Sequence, residues 1–470
     1  MRKRPVHPNF VRKPKPAKPA PSSAGLELSD NPRVVAFRVL SETECGRVPE
    51  DCLAEQGLLL SPRDLSLCVA LVYETLRHRS RLDWLMKSRL SAGRASLQLS
   101  TVLRLGLAQL LFFDRLGDHA IVMETVNLAK RVVPGRQGLV NAVLRGLMRE
   151  RDSGDIPWPP QPPETGRIAD DLALKHSYQP WLVKKLLGDF SAAETEELLI
   201  AGNQATPATL RVNPGRASLA DLQAALPFET RPTVLSPWGL TAVNFSGRPE
   251  EWPGFTDGLF SIQDEASQLG GLLAGTLPDG AAIADMCSGL GGKTLLLAAL
   301  QLTALVTAMD KDAAKLARLE KEAARLGLAN IITKPHDLTA VEALPTLFDL
   351  VLVDAPCTGV GVIRRRPDLK WNKTPDDVTR LAELQLQMLD KAANAVKPGG
   401  RLIYSVCSFT SEEGPGVSHK FLAARPNFQA VNREGWPASL QPHLSPENHL
   451  TLYPHRHHTD GFFWAMFQRK

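Results

Sequence analysis

Two cysteines and an aspartate occupy positions that could bring them together in the folded chain. An apolar run over 348–354 ends at Asp354 and is followed by Ala-Pro-Cys357, and another run over 401–407 ends at Cys407. A cysteine thiolate is a strong nucleophile, and a nearby carboxylate can hold or move a proton. A single cysteine in a strand is usually a small apolar core residue. Two at the ends of similar strands favour catalysis instead.

The chemistry that such a set could perform is methylation of a cytosine ring. Carbon 5 of cytosine is too weakly nucleophilic to accept a methyl group unaided. A thiolate that adds to carbon 6 makes carbon 5 enamine-like, and carbon 5 can then attack the methyl group of a sulfonium. Asp354 near ring nitrogen 3 would assist this addition by hydrogen bonding, and a base must later remove the proton from carbon 5.

A glycine-rich segment earlier in the chain is a candidate site for the methyl donor. It lies between the apolar run 281–287 and a helical stretch, where backbone amides and a helix N-terminus favour an anionic group. A phosphate-binding loop would need glycine at Cys287, and a dinucleotide fingerprint would need glycine at Thr294. The remaining interpretation is the methionine carboxylate of S-adenosyl-L-methionine. The segment comprises Cys287, Ser288, Gly289, Leu290, Gly291, Gly292 and Lys293.

Aspartates end two further strand-like runs. The run 305–310 ends at Asp310, which suits the ribose hydroxyls of an adenosine, and the run 331–337 ends at Asp337, which could address the adenine amino group. Asp310 could instead cap the following helix, although Asp312 fits that role better. Together with the glycine-rich segment, these aspartates favour S-adenosyl-L-methionine over the other ligands considered.

Strand-like and helical patterns alternate from residue 259 to residue 470. Because the apolar runs are nearly continuous, they predict a mostly parallel sheet covered by helices on both faces. Ligands of such sheets bind beyond the carboxyl ends of the strands. We therefore predict a Rossmann-like α/β domain whose site lies at the strand ends. The predicted strands are 281–287, 305–310, 331–337, 348–354 and 401–407, and the predicted helices are 292–302, 312–327, 376–396 and 412–424.

The first half of the chain divides into three further regions. Amphipathic stripes predict an all-α domain over 30–151. Residues 152–170 are rich in proline and predict a semi-rigid linker. Short helices and strand-like pieces over 171–258 predict a small α/β subdomain.

Composition sets the broad class of the protein. The 470 residues are 43% hydrophobic and 22% charged, which is typical of a globular chain with two or three domains. No apolar run is long enough to cross a bilayer, and the N-terminus lacks an apolar signal core. The six cysteines form no Cys-x-x-Cys pair, so we expect free thiols, no structural zinc and no other metal. We therefore expect a cytoplasmic protein that does not contact a membrane.

Two cation-rich segments could contact nucleic acid. Residues 1–21 contain seven Lys and Arg and no acid, so the rest of a chain of net charge +5 carries −2. We expect residues 1–29 to be a disordered basic tail that touches phosphates or only solubilises the chain. Beside the predicted cleft, four cations around an aromatic predict an RNA-contacting surface, with an exposed cluster that binds nothing as the alternative. These cations are Arg364, Arg365, Arg366 and Lys370.

The motifs together resemble the Sun/Fmu (RsmB/NOP) family of bacterial 16S rRNA cytosine-5 methyltransferases. The resemblance rests on Gly-Gly-Lys-Thr294, on Asp354-Ala-Pro-Cys357 followed by Gly-Val-Ile-Arg-Arg, and on Tyr404-Ser-Val-Cys-Ser408. The stretch 32–151 resembles the NusB-like RNA-binding domain that precedes the catalytic region in members that act on small-subunit ribosomal RNA. The resemblance covers nearly the whole chain after the basic tail.

The resemblance also implies roles for the two cysteines. The nucleophile of these RNA enzymes is the cysteine of the Tyr-x-x-Cys-Ser motif, hence Cys407, and Cys357 would help to release the product. DNA cytosine methyltransferases use the cysteine of a Pro-Cys pair, which Pro356-Cys357 also fits. The resemblance further places the cofactor on the glycine-rich segment, Asp310 and Asp337, with Asp354 facing the base.

The sequence departs from the family pattern at three points. The usual Cys-Ala-Ala-Pro-Gly-Gly-Lys has Gly289 and Leu290 at its third and fourth positions, and we expect cofactor binding to survive this change. Val406 replaces the usual threonine beside the nucleophile. Gly414 replaces an asparagine after Glu-Glu, which puts the fine positioning of that loop in doubt.

Two other functions are compatible with the same residues. The chain could methylate cytosine in transfer RNA, although a NusB-like domain argues against that target. It could also be a non-catalytic RNA-binding assembly or antitermination factor, which the intact Asp354, Cys357 and Cys407 disfavour. We expect a monomeric methyltransferase of small-subunit ribosomal RNA.

Overall fold

The computed structural model describes residues 29–90, 95–245, 247–340 and 346–470. These residues belong to two compact units, Met1–Pro162 and Pro163–Lys470. Nearly all of the predicted basic tail, residues 1–28, lies outside the described residues. Among the described residues, no helix has the length and apolar character needed to cross a membrane.

The first unit is all-α in its described part, as the amphipathic stripes predicted. Three of its helices begin at residues with capping side chains, because the oxygens of Asn31, Ser61 and Ser96 accept hydrogen bonds from backbone amides of the first turn. The central helix is buried at every position from Leu99 to Leu111. The helices are α1 (Pro32–Thr43), α2 (Pro49–Gln56), α3 (Pro62–Arg77), α4 (Arg79–Lys87), α5 (Leu97–Phe112), α6 (Asp118–Val132) and α7 (Gln137–Ser153).

The second unit begins with three helices and a small antiparallel sheet of strand order β2-β3-β1-β4. Strand β4 lies beyond residue 258, where the sequence analysis ended the small subdomain, because Phe260–Ile262 pairs with β1. The sheet therefore includes the segment that leads into the larger domain. These elements are α8 (Ile168–His176), α9 (Pro180–Asp189), α10 (Ala192–Ala201), β1 (Thr209–Val212), α11 (Leu219–Ala225), β2 (Thr230–Pro232), β3 (Gly239–Ala242) and β4 (Phe260–Ile262).

A larger sheet with helices on both faces forms the rest of the second unit. Its elements are α12 (Glu265–Ala274), β5 (Ala282–Asp285), α13 (Gly292–Leu300), β6 (Leu305–Asp310), α14 (Ala313–Leu326), β7 (Ile331–Pro335), β8 (Phe348–Asp354), α15 (Leu369–Asn372), α16 (Pro375–Ala393), β9 (Val396–Val406), α17 (Pro415–Ala424), β10 (Phe428–Ala430), β11 (Leu450–Leu452), α18 (Pro454–His457) and β12 (Phe462–Arg469).

The larger sheet has the strand order β10-β12-β9-β8-β5-β6-β7, and β11 pairs with β12. Strands β5 to β9 are mutually parallel, which confirms the mostly parallel Rossmann-like domain. Alternate side chains of β8 point to opposite faces, so Val351 packs with α16 and α17 whereas Leu350 packs with α12 and α13. The sequence analysis missed β12, which is antiparallel to β9.

Prolines account for two differences between predicted and observed boundaries. The last predicted helix was 412–424, but α17 begins at Pro415, because the residue before a proline avoids helical geometry. The third predicted strand was 331–337, but β7 ends at Pro335, which has no amide hydrogen to continue the pairing. Asp337 therefore lies on the loop after the strand.

Candidate functional site

The two cysteines predicted to act together are in contact. Strands β8 and β9 are parallel neighbours whose register pairs Asp354 with Ser405, so the residues after both strands meet at one edge of the sheet. There the Sγ atoms of Cys357 and Cys407 lie 3.1 Å apart. The hydrogen bond between the thiols, and then burial, raise the pKa of Cys357 well above its usual value. Cys357 is therefore a protonated thiol at neutral pH.

Asp354 is fixed beside the cysteines by two side chains. Its Oδ1 accepts a hydrogen bond from Ser405 Oγ at 2.7 Å, and its Oδ2 accepts one from Lys293 Nζ, also at 2.7 Å. The Lys293 ammonium lies 4.9 Å from the ring centre of Phe462 and 5.6 Å from that of Trp464. Lys293, predicted to bind cofactor, therefore reaches Asp354 and two rings of β12.

A cavity of about 400 Å³ opens beside these residues at the carboxyl edge of the sheet. It is lined by five residues that the sequence predicted to hold the cofactor, namely Cys287, Gly289, Asp310, Asp337 and Asp354. The other predicted residues of the glycine-rich segment are not among its lining residues; they are Ser288, Leu290, Gly291, Gly292 and Lys293.

The glycine-rich segment turns tightly from β5 into α13. Gly291 has a φ of +88°, and a side chain there would clash with Leu319, so only glycine fits. The amide of Gly289 donates a 2.9 Å hydrogen bond to Asp310 Oδ2, which joins the turn to the end of β6. Ser288 Oγ is buried and has no hydrogen-bond partner among the described residues. Leu290, in contrast, is half exposed.

The cavity and its surroundings contain several titratable groups. Hydrogen bonds from the hydroxyl and amide of Thr339 hold the pKa of Asp337 below its usual value, so this group is ionised. Burial, and then the neighbouring carboxylates, raise the pKa of Cys287 well above its usual value. Behind the cavity, burial raises the pKa of Asp285 to about 6, although Thr294 donates a hydrogen bond to it.

These residues fit S-adenosyl-L-methionine. Asp310 and Asp337 offer acceptors for hydroxyl and amino groups, and Lys311 and Lys315 offer donors for a carboxylate. The cavity also has apolar walls, because Leu384 and Met388 of α16 line it. No group of side chains in the described part of the chain is arranged to hold a metal ion.

The four cations predicted to contact RNA have structural partners instead. Arg364 and Arg365 both pair with Asp264 and Asp460, with the shortest contacts at 2.5 Å and 2.7 Å. Arg366 pairs with Asp368 at 3.0 Å. Acids that are distant in sequence thus pair with Arg364 and Arg365, and the nearby Asp368 pairs with Arg366. A contact of these arginines with RNA stays a prediction.

Lys370 is the most buried of the four, with 1% of its surface exposed. Its Nζ donates hydrogen bonds to the carbonyl of Ser177, at 3.1 Å, and to Asn203, and it lies 3.8 Å from the ring centre of Tyr178. This lysine is therefore part of the packing between α15 and the segment that joins α8 to α9.

The structure also assigns contacts that the sequence analysis did not identify. Ser405 anchors Asp354, and Lys311, Lys315 and His336 line the cavity. The alternation of β9 places Ser405 and Cys407 on one face, which is a signal that the sequence contained. The three cavity residues carry no such signal, since they lie on loops and a helix.

The departures from the family pattern have local explanations. Gly414 packs against Phe463, and a Cβ there would lie 2.8 Å from its ring, so this loop has no room for a larger residue. The loop is therefore closely packed rather than loosened. Val406 is fully buried in β9, where a β-branched apolar side chain is favourable.

Family models cover all three folded regions. The model described as 16S rRNA methyltransferase RsmB/F matches residues 274–468, and the NusB family model matches residues 30–149. A model for the ferredoxin-like domain of RsmF/B-like methyltransferases matches residues 178–247. The fold and site thus define a Rossmann-like methyltransferase with a NusB-like helical domain and a small ferredoxin-like domain.

Curated relatives match almost end to end. The chain is 31% identical to ribosomal RNA small subunit methyltransferase B of Vibrio cholerae, over 94% of this chain and 98% of the relative. It is also 31% identical to the protein of the same name from Pseudomonas syringae, over 93% of this chain and 96% of the relative. The chain belongs to the RsmB/F methyltransferase family, as the sequence motifs predicted.

Solved structures show the same fold. The crystal structure of PH0851 covers 94% of this chain and 100% of that chain, with a TM-score of 0.76 and 23% identity. A methyltransferase homologue from Pyrococcus horikoshii covers 65% of this chain and 100% of that chain, with a TM-score of 0.55 and 25% identity.

Proposed function

We propose that this protein is an S-adenosyl-L-methionine-dependent methyltransferase that modifies carbon 5 of a cytosine in small-subunit ribosomal RNA. The observation that carries the proposal is the 3.1 Å contact between Cys357 and Cys407 beside Asp354. The cavity begins at Asp354 and Pro356, so a base at the cysteines would be adjacent to a ligand in the cavity. The names of the relatives support ribosomal RNA as the target.

Each residue has a defined task in this proposal. Cys407 adds to carbon 6 of the cytosine as a thiolate, and Asp354 orients the base through its nitrogen 3. Bound S-adenosyl-L-methionine supplies an electrophilic methyl group. A base then removes the proton from carbon 5, the electron pair of that bond re-forms the double bond between carbons 5 and 6, and Cys407 leaves as a thiolate. The Cys357 thiol, 3.1 Å from Cys407, assists this release.

Lys293 and Ser405 hold Asp354 in one orientation. Both donate to its carboxylate, and the Lys293 ammonium is itself confined by two aromatic rings. Such restraint lowers the entropic penalty of aligning the carboxylate with the base.

The cysteine roles can be tested by trapping the covalent adduct. Purified Cys357→Ser protein, incubated with small-subunit ribosomal RNA and S-adenosyl-L-methionine, should accumulate a protein–RNA species that survives a denaturing gel. Without Cys357, the methylated base cannot be released. Cys407→Ser should form no adduct and transfer no methyl groups, while binding S-adenosyl-L-methionine in calorimetry.

Cys45→Ser is the matched control, because Cys45 is a free thiol of the helical unit, and this variant should methylate normally. An adduct with Cys407→Ser but not with Cys357→Ser would mean that the two roles are exchanged. Bisulfite sequencing of ribosomal and transfer RNA from a strain without the protein identifies the target. Loss of methylation in transfer RNA alone would contradict the proposed substrate.

A further inference from the structure

Glu413 is a fully buried acid directly behind the two cysteines. It lies in the loop between β9 and α17, and none of its surface is exposed. Its carboxylate accepts hydrogen bonds from five donors of four residues, and none of these donors is a cation. The donors are Thr358 N at 2.7 Å, Thr358 Oγ1 at 2.5 Å, Ser408 Oγ at 2.7 Å, Thr410 Oγ1 at 3.0 Å and Gln385 Nε2 at 3.1 Å.

Two of these donors are the residues that immediately follow the cysteines. Thr358 comes after Cys357, and Ser408 comes after Cys407. The loop after β8 and the loop after β9 are thus both hydrogen-bonded to the Glu413 carboxylate, in each case by the residue that follows the cysteine. Glu413 therefore restrains the separation of the two sulfur atoms, although it contacts neither of them directly.

A second set of hydrogen bonds fixes Glu413 itself. The Tyr404 hydroxyl donates to the backbone carbonyl of Glu413 at 2.6 Å. Gln385 Nε2 donates both to the Glu413 carboxylate and to the carbonyl of Pro356, at 3.1 Å and 3.0 Å. Gln385 thus joins α16 to the residue before Cys357. A fully satisfied buried network of this kind holds its members in one arrangement.

We propose that Glu413 is a positioning residue that holds Cys357 and Cys407 at the spacing required for covalent methyl transfer. The inference rests on the proposed function, because it assigns both thiols to one reaction. The inference adds to the proposed function the residue that sets the spacing between the two thiols. Hydroxyls and N–H groups, and no cation, donate to its carboxylate.

Glu413 also affects the Cys357 thiol. The Glu413 carboxylate is one of the groups that raise the pKa of Cys357, after the Cys407 hydrogen bond and burial. Glu413, which accepts a hydrogen bond from the adjacent Thr358, therefore contributes to keeping the Cys357 thiol from ionising. The same arrangement that fixes the spacing thus keeps one thiol protonated beside its partner.

Substitution by glutamine tests the carboxylate with little change of volume. Oε1 accepts from two N–H donors and Oε2 from three hydroxyls. An NH₂ group in place of Oε2 can donate to only two of these hydroxyls, after they reverse their hydrogen bonds, and the third loses its acceptor. A displacement of about 1 Å in a catalytic group can reduce the rate roughly 100-fold. We expect kcat to fall by about that factor while KM for RNA and the affinity for S-adenosyl-L-methionine stay unchanged.

Glu412→Gln is the matched control, because Glu412 is the adjacent residue but is exposed and pairs with Lys185 at 2.6 Å. It should retain the kcat of the unmodified protein. A readout independent of methylation is the rate at which diamide oxidises Cys357 and Cys407 to a disulfide. Two thiols lose two electrons and two protons, and diamide is reduced to its hydrazine. We expect this rate to fall at least tenfold in Glu413→Gln only.

Two further variants keep the inference testable if Glu413→Gln does not fold. Ser408→Ala and Thr358→Val each remove one hydroxyl donor and leave the carboxylate in place, and each should lower kcat and the diamide rate several-fold. A folded Glu413→Gln with normal kcat and normal diamide rate would overturn the inference, as would unchanged rates in both hydroxyl variants. If the unmodified protein methylates no RNA while the diamide rates still differ, the proposed function fails but the positioning role stands.

Discussion

Two charged regions flank the cysteines, and they differ in what their charged side chains contact. At the cavity edge, the carboxylates of Asp310 and Asp337 face open space. In the loop after Cys357, Arg364 and Arg365 are instead paired with Asp264 and Asp460. A charge that faces a cavity can bind a ligand, whereas a charge that is paired internally fixes the fold.

The difference shows that residue type alone does not identify a binding surface. Three consecutive arginines and a lysine that follow Cys357 in the sequence form a typical phosphate-binding pattern. In this protein the partners of these cations are already present, and Lys370 is inside the fold. We call the cavity carboxylates Asp310 and Asp337 the open edge, and the internally bonded cations Arg364, Arg365 and Lys370 the closed region. The comparison predicts that substitutions at the open edge affect ligand binding and that substitutions in the closed region affect stability.

The largest effect is expected for Asp310→Ala at the open edge. Two hydrogen bonds from ribose hydroxyls to a carboxylate contribute about 4 kcal/mol together, so the affinity for S-adenosyl-L-methionine should fall roughly 1000-fold. Isothermal titration calorimetry measures this change. Glu320→Gln, on the exposed face of α14, is the control and should bind normally. An affinity within tenfold of the unmodified protein would show that Asp310 does not hold the ligand.

Lys370→Met tests the closed region. The substitution removes a buried ammonium and leaves the Ser177 carbonyl without its donor, so the free energy of unfolding should fall by about 3 kcal/mol. Urea-induced unfolding measures this loss, with the exposed Lys420→Met as control. The salt dependence of RNA binding should not change. A shallower dependence of affinity on salt would mean that Lys370 does contact phosphate.

The smallest expected effect is a pH dependence of the protein's stability that arises from Asp285. This aspartate is buried behind the cavity. Its pKa of about 6 in the folded protein exceeds the value near 3.8 of an unperturbed aspartate. Between these values the folded state binds more protons than the unfolded state, so stability falls as the pH rises.

This destabilisation should amount to about 2 kcal/mol between pH 4.5 and pH 6.5. Asp285→Asn removes the titrating group, so the stability of the unmodified protein relative to this variant should decrease by that amount over the interval. Urea-induced unfolding at a series of pH values measures the difference. A constant difference across the interval would mean that Asp285 titrates normally.

Local patterns in the sequence were sufficient to predict the central strands and the meeting of the cysteines. The runs at 305–310 and 348–354 coincide with β6 and β8, because buried parallel strands are nearly continuous apolar segments. Since the carboxyl ends of parallel neighbours share one edge, Cys357 and Cys407 could be placed together without a structure. Family membership was predicted from the same motifs.

Contacts between residues that are distant in sequence could not be predicted in this way. Arg364 and Asp460 are 96 positions apart, and Glu413 is 55 positions from Thr358. Nothing in the local pattern distinguishes the buried Glu413 from the exposed Glu412 beside it. Only the packing of the loops after β8 and β9 makes that distinction.

The place of β12 in the sheet has a consequence for biosynthesis. Strand β9 bears Cys407 at its end, and its outer edge is covered only when Phe462–Arg469 pairs with it. A nascent chain emerges from its amino end, so this edge is bare while the following segment of about 50 residues is made. Unpaired strand edges recruit other chains. Strand β9 therefore stays open to aggregation until Phe462–Arg469 has been made and has paired with it.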